Sequence, residues 1–377
     1  MERKIIDAND VYPSGPAAAH AVRFGTTVYT SEISPKDASG RVTGGGDLRA
    51  QTEQAFRNLK AVLAAAGARM EDVAKVNLYV DPSAFARRDE AREVVSRFLR
   101  PETVAGTVVP IMLPTAGALV AVEAIAHVGV ERKMIKSGPA SPSEWGWAQA
   151  VVAGPSVYVS ARYGQGEPFL TQCKSIYDPF DALLKAAGLP WRDIVRIHQF
   201  AIRPDLSVDD IRKSRASYLK NTEFLSTSVV CGAPGDGTSS WQVVVDIEGT
   251  TAGKTYSSTP GIWANPGGLH AIKAGGTGYF TAQMSRDDKN KTLFADDVVA
   301  HADKVCANID AILSGAGLGW RNMVHARVFT RDMADVPAVR KVVDSWLKGN
   351  KCARTDLVVG FFDPLARVEI EVTAAAS

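Results

Sequence analysis

The residues best suited to chemistry lie near the C-terminus. In the segment VEIEV, alternation puts Val368, Ile370 and Val372 on one face of a strand and Glu369 with Glu371 on the other. Carboxylates aligned in this way can take up or release a proton beside a reacting group. Upstream, CARTD carries Arg354, whose planar fork can grip a carboxylate with two charge-assisted bonds. Asp356 stands two residues on, on the same strand face, as a partner for that arginine or as a further carboxylate. Three more arginines, Arg92, Arg212 and Arg340, recur at intervals of 120 and 128 residues. They could line equivalent clefts, or be solvated helix arginines paired with nearby acids. Six histidines show no HxxxH or HExxH pairing, so metal chemistry has no support in the sequence. Cys173, Cys231, Cys306 and Cys352 lack CxxC spacing and are too sparse for a disulfide framework, which makes them buried thiols.

The elements that must position these residues are written three times. The segments FRNLKAVLAAAGARMEDVAKVNLYV, FDALLKAAGLPWRDIVRIHQFAI and IDAILSGAGLGWRNMVHARVFT each read as an apolar-periodic helix, a glycine, a polar turn and an apolar strand. Their glycines, Gly67, Gly188 and Gly317, stand 121 and 129 residues apart, a period too long for a solenoid unit and right for a whole domain. In the first copy, Leu48, Ala55, Phe56, Leu59, Val62, Leu63 and Ala66 form one helical face, and Gly67 supplies the stop. The order is β-β-α-β-α-β-β, an α+β layer with helices on one side of a mixed sheet. The expected domains are residues 1–133, 134–254 and 255–377.

The segments SGPAAAHAVRFGTTVYTSEISP, QTEQAFRNLKAVLAAAGARMEDVAKV and CARTDLV followed by VEIEV resemble the Rid/YjgF family across all three repeats. The second repeat is the most diverged. The resemblance implies chorismate-mutase-like domains of the kind that form trimers with small-molecule sites in the clefts between subunits. Here three fused copies would close into one intramolecular pseudo-trimer, with three outward helix layers and the bare sheet faces buried against one another. It also implies hydrolysis of imines or enamines, with Arg354 binding a substrate carboxylate and Glu369 holding or deprotonating the attacking water. Counting back from the closing strands places Ala105 and Ser226 at the Arg354 position. The Glu369 position falls on Ala121 and Asp246, and Glu123, Glu248 and Glu371 become a recurring scaffold acid. The family tyrosine is replaced by Ala18, Trp147 and Gly268, and Trp147 could stack on a flat substrate. A backbone N–H or Thr281 would receive developing charge, with Gln283, Asp356 and Arg340 as further binding residues.

Hydrophobic residues make up 46% and charged residues 22% of the 377, as in an ordinary globular protein. A net charge of +2, without basic runs interleaved with aromatics, disfavours a nucleic-acid surface. Apolar stretches are too short to span a bilayer, and MERKIIDAND has no signal core, so a cytoplasmic location is expected. The sequence therefore points to a cofactor-free, metal-free hydrolase of a C–N bond in a small anionic substrate. It would act as a monomeric pseudo-trimer, alone or in a higher homo-oligomer, with Arg354 and Glu369 together in the third repeat. The alternatives are a chorismatase-like lyase or ring-opening hydrolase, and a non-catalytic ligand-binding scaffold.

Overall fold

The computed structural model describes residues 2–137, 144–166, 169–202, 207–220, 222–232, 243–264 and 268–376. Three sheets follow one another along the chain. The first orders its strands Arg3–Ile6, Ala21–Phe24, Thr27–Thr30, Val120–His127, Val73–Val80 and Ala105–Pro110. The second repeats this with Arg132–Ile135, Ala150–Ala153, Ser156–Tyr163, Val243–Thr250, Ile194–Ala201 and Leu225–Val230. The third uses Lys254–Ser257, Ala271–Ala274, Thr277–Phe280, Val368–Ala375, Met323–Thr330 and Cys352–Val358. Each begins with one strand more than the order expected from sequence. Those first strands, RKII, RKMI and KTYS, are short, partly exposed edges without apolar alternation. The second sheet starts at Arg132, so the boundary expected after residue 133 falls inside its first strand.

Two helices cover the outer face of each sheet: α1 (Leu48–Ala65) with α2 (Arg88–Phe98), α3 (Phe169–Ala187) with α4 (Val208–Arg215), and α5 (Val298–Gly315) with α6 (Val336–Leu347). Side chains of Asp47 and Asp297 cap α1 and α5 by accepting from backbone N–H groups of the first turn. After the first helix of each repeat the chain reverses through Gly67, Gly188 and Gly317, all at positive φ (71°, 67° and 74°), where a side chain would be strained. Apolar residues on one face of each central strand pack on these helices: Val76 and Leu78, Ile197, and Ala326 with Val328.

The opposite faces meet at a central axis and are polar. Thr107 of the first repeat donates to Asp246 of the second at 2.6 Å. Thr227 of the second donates to Glu371 of the third, and Thr355 of the third donates to Glu123 of the first at 2.6 Å. The same cycle runs through the basic residues. Lys75 Nζ lies 3.2 Å from Asp246, Arg196 Nη1 3.3 Å from Glu371, and His325 Nε2 3.3 Å from Glu123. Each repeat thus grips the next, and the third grips the first. A second seal joins the chain's two ends: Ala18–Ala19 adds in parallel to Cys352–Ala353, and the Arg354 N–H donates to Ser31 Oγ at 2.7 Å. The molecule is a closed pseudo-threefold ring.

Buried charges at such an axis are tolerable only when paired. Burial works to raise the Glu123 and Glu371 carboxyls. Arg327, at 2.5 Å from Glu123 and 2.9 Å from Glu371, and the neighbouring basic groups instead hold both well below the usual carboxylate range. Burial works to lower His198, but Glu371 and Asp246 on either side of its ring raise it to about 9. The fully buried Glu371 is therefore a scaffold acid, and its second-repeat equivalent by strand register is Asp246, not the expected Glu248. The four cysteines are free and buried.

Candidate active site

Strand register fixes which residues are equivalent. Arg354 lies opposite Ala326, as Ser226 lies opposite Ile197 and Gly106 opposite Val76. The first-repeat counterpart of Arg354 is therefore Gly106, one residue beyond the expected Ala105. On the last strands, Glu371, Asp246 and Glu123 pair with Arg327, His198 and Asn77, while Glu369, Val244 and Ala121 pair with Phe329, Phe200 and Tyr79. Asp246 is thus the axial scaffold acid of its repeat and not a counterpart of Glu369, which corrects the alignment drawn from spacing. Glu369 has no acidic equivalent.

Arg354 and Glu369 also do not share a site. The strands that carry them flank the central strand Met323–Thr330 on opposite sides, so they turn toward different neighbouring repeats. Arg354 lines a cavity of about 320 Å³ between the third and first repeats. Glu369 lines one of about 310 Å³ between the second and third.

The third cleft, between the first and second repeats, is plugged. Trp147 is buried against Gly106, where an added Cβ would lie 2.3 Å from the indole ring. Trp145 packs on it at 6.0 Å between ring centroids. Trp147 therefore fills the place of the missing arginine as core, and has no free face for a substrate.

In the cleft between the third and first repeats, Arg354 is already engaged. Its Nη1 lies 2.6 Å from Asp344 and its Nε 3.2 Å from Asp356, which also takes Arg340 at 2.8 Å. Burial works to lower the Arg354 guanidinium, but the two aspartates raise it. Glu32 accepts from the Asp356 N–H. Burial and the Asp356 charge push its carboxyl well above the usual range. Arg340, Asp356 and Arg354 therefore do gather in one place, as an internally neutralised cluster.

The cleft between the second and third repeats is different. Glu369 is 4% exposed, its Oε2 has no hydrogen-bond partner among the described residues, and burial raises its carboxyl to about 8 against the opposing pull of Arg286. Arg215, on the last turn of α4, donates to Ser226 Oγ at 3.2 Å and so brings a guanidinium to the position that Arg354 occupies in its own cleft. Its Nη1 is buried and unpartnered among the described residues, and burial lowers its pKa. Arg286 is held by Asp363 at 3.1 Å and stacks over Trp263 at 4.8 Å, with its Nε left unpaired among the described residues. Ala282 and Met284 face this cavity. Thr281 and Gln283 alternate with them and do not line it, so neither can receive charge there. Arg215, Arg286, Trp263 and Asp363 were not picked out from the sequence. Arg215 lies three residues after Arg212, a spacing that shares a helix face and was a usable signal.

This arrangement combines a neutral acid, two arginines with unpaired N–H groups and an apolar wall. It can bind an anion and pass it a proton. Among the described residues no group of three or more His, Cys, Asp or Glu could hold a metal ion, and no helix is long and apolar enough to cross a membrane.

A family model described as Endoribonuclease L-PSP matches residues 9–128 and 269–376, which are most of the first and third repeats and more than half of the chain. The chain belongs to the endoribonuclease L-PSP (Rid/YjgF) family. Among its L-PSP relatives is the 3-aminoacrylate deaminase RutC of Acinetobacter baylyi, 31% identical over 104 residues, 28% of this chain and 82% of that protein. A 2-iminobutanoate/2-iminopropanoate deaminase of Dermatophagoides farinae is 41% identical over 68 residues, 18% of this chain and 52% of that protein. A solved chorismatase structure matches across the repeats with a TM-score of 0.59, covering 81% of this chain and 93% of that one at 14% identity, a likeness of fold alone.

Proposed function

We propose that this L-PSP family member is a hydrolase that cleaves the C–N bond of a small anionic imine or enamine, in the cleft between its second and third repeats. The carrying observation is that a carboxyl raised to about 8 faces the same cavity as a guanidinium, the one with an unpaired Oε2 and the other without a carboxylate partner among the described residues. Arg215 binds the substrate carboxylate, with Arg286 as a second donor. Glu369, neutral at pH 7, gives its proton to the imine nitrogen, or to the enamine carbon. Water then adds to the C=N carbon and returns a proton to the Glu369 carboxylate. The carbinolamine collapses to a carbonyl compound and ammonia. Glu369 therefore begins the cycle as an acid and becomes the base in its second half. Names of relatives such as 3-aminoacrylate deaminase support the reaction class.

The test is ammonia release from imines generated in situ, with wild type compared with Glu369→Gln and Arg215→Gln. Both variants should lose at least tenfold in kcat/KM. Full turnover by Glu369→Gln would sink the assignment. The fold match to a chorismatase along most of the chain favours one other reading, cleavage of a chorismate-like anion by the same acid. Its mark would be product formed without ammonia.

A further inference from the structure

The cleft between the second and third repeats also carries information about which anion it takes, given the functional reading above. Three arginines line it: Arg212 is paired with Asp209 at 3.2 Å, and the partly buried Arg286 has its charge met by Asp363 at 3.1 Å. Arg215 has only a hydroxyl, Ser226 Oγ at 3.2 Å, and the Phe224 ring at 5.1 Å as described partners. Among the described residues the site thus lacks one negative charge, and the Nε of Arg286, unpaired there, suits a neutral acceptor. Trp263, Phe362 and Met284 give it an apolar wall. Its volume of about 310 Å³ is roughly twice the ~150 Å³ of a cavity that takes a benzene ring. The imine of a three- or four-carbon acid has six or seven non-hydrogen atoms and would leave that wall wet.

We propose that this cleft selects monocarboxylates that carry a flat ring or bulky apolar group, with the carboxylate on Arg215 and the apolar group against Trp263 and Phe362. The plugged cleft offers no room. The cleft of Arg354 offers neutralised charges in place of an uncompensated guanidinium. Selection rests on two separable terms. The charged contact to Arg215 is worth roughly 10- to 100-fold in affinity, and each CH₂ moved from water to the wall is worth about fourfold.

The experiment is calorimetric binding of stable ketones at pH 7 to the full chain. Phenylpyruvate should bind at least tenfold more tightly than pyruvate or 2-oxobutanoate, and at least tenfold more tightly than phenylacetone, which lacks the carboxylate. Arg215→Gln should remove the preference for phenylpyruvate over phenylacetone. Phe362→Ala should weaken phenylpyruvate more than pyruvate and so reduce the preference between them. Equal binding of pyruvate and phenylpyruvate, equal binding of phenylacetone, or no binding by any of them overturns the proposal. If Arg215→Gln fails to fold, the three ligand ratios on wild type still decide. Binding needs no turnover, so the two claims fail separately. Ring-selective binding without any C–N hydrolysis would refute the deaminase reading alone, and hydrolysis confined to short imines would refute this one alone.

Discussion

Replacing Glu369 by glutamine should make the protein more stable at alkaline pH while removing its activity. The carboxyl moves from an ordinary value of 4.5 to about 8 on folding. Below pH 4.5 both folded and unfolded chains hold the proton, and the neutral acid contributes its full stability. As pH rises from 4.5 towards 8, the unfolded chain ionises and the native one does not, so that stability is lost. At ~1.4 kcal/mol per pH unit, the loss reaches at most about 5 kcal/mol. Glutamine cannot ionise and escapes it. With an unfolding entropy of about 2.1 cal/mol/K per residue, the 377-residue chain melting as one unit gives roughly 0.8 kcal/mol/K, so Tm at pH 8 should rise by up to about 6 °C. The assay is a pair of melts at each pH from 4 to 9. The acid-labile carboxylates Glu123 and Glu371 are common to both proteins and cancel in the difference. The Tm gap should be near zero at pH 4.5 and widen towards pH 8, while kcat falls by about 10²–10⁴. A gap independent of pH, or a variant less stable than wild type at pH 8, would refute the view that Glu369 is held neutral by burial.

Wild-type turnover should decline above pH 8 if Glu369 acts first as an acid, and a pH–rate profile that rises through 8 would make it a base instead. In the Glu369→Gln background, stability should still fall between pH 6.5 and 9, because the raised His198 contributes fully below 6.5 and is lost as it deprotonates. His198→Gln should flatten that alkaline slope in urea titrations. Arg327→Ala removes the guanidinium shared by the buried Glu123 and Glu371 and should cost about 3–5 kcal/mol, measured by chemical denaturation. Gly106→Ala should cost about 1–3 kcal/mol, by driving a methyl into Trp147, and leave kcat/KM in the other cleft unchanged.

The helix faces around Phe56, Leu59 and Leu63, the turn glycines and the period near 120 residues were legible because they are local or repetitive. Amphipathic spacing and positive-φ glycines express themselves over a few residues wherever they occur. The alternation that put Glu369 and Glu371 on one strand face held as well, yet did not decide their roles. A shift of two residues leaves a side chain on the same face, so spacing could not tell Asp246 as the counterpart of Glu371 from Asp246 as the counterpart of Glu369. Only the pairing with Phe329, Phe200 and Tyr79 separates them.

The sequence by itself determined three α+β repeats, the family, a polar inner strand face and a carboxylate and an arginine with chemical potential. Tertiary structure alone decided which of these meet. Arg354 and Glu369 belong to one repeat, but the ring makes each cleft from two, and their strands lie on opposite sides of the central strand. Glu369 therefore faces Arg215 of the preceding repeat, while Arg354 faces the first repeat and is spent on Asp344 and Asp356. A local pattern records which face a side chain takes. The closure of the ring, through contacts between residues more than a hundred positions apart, sets what stands across from it.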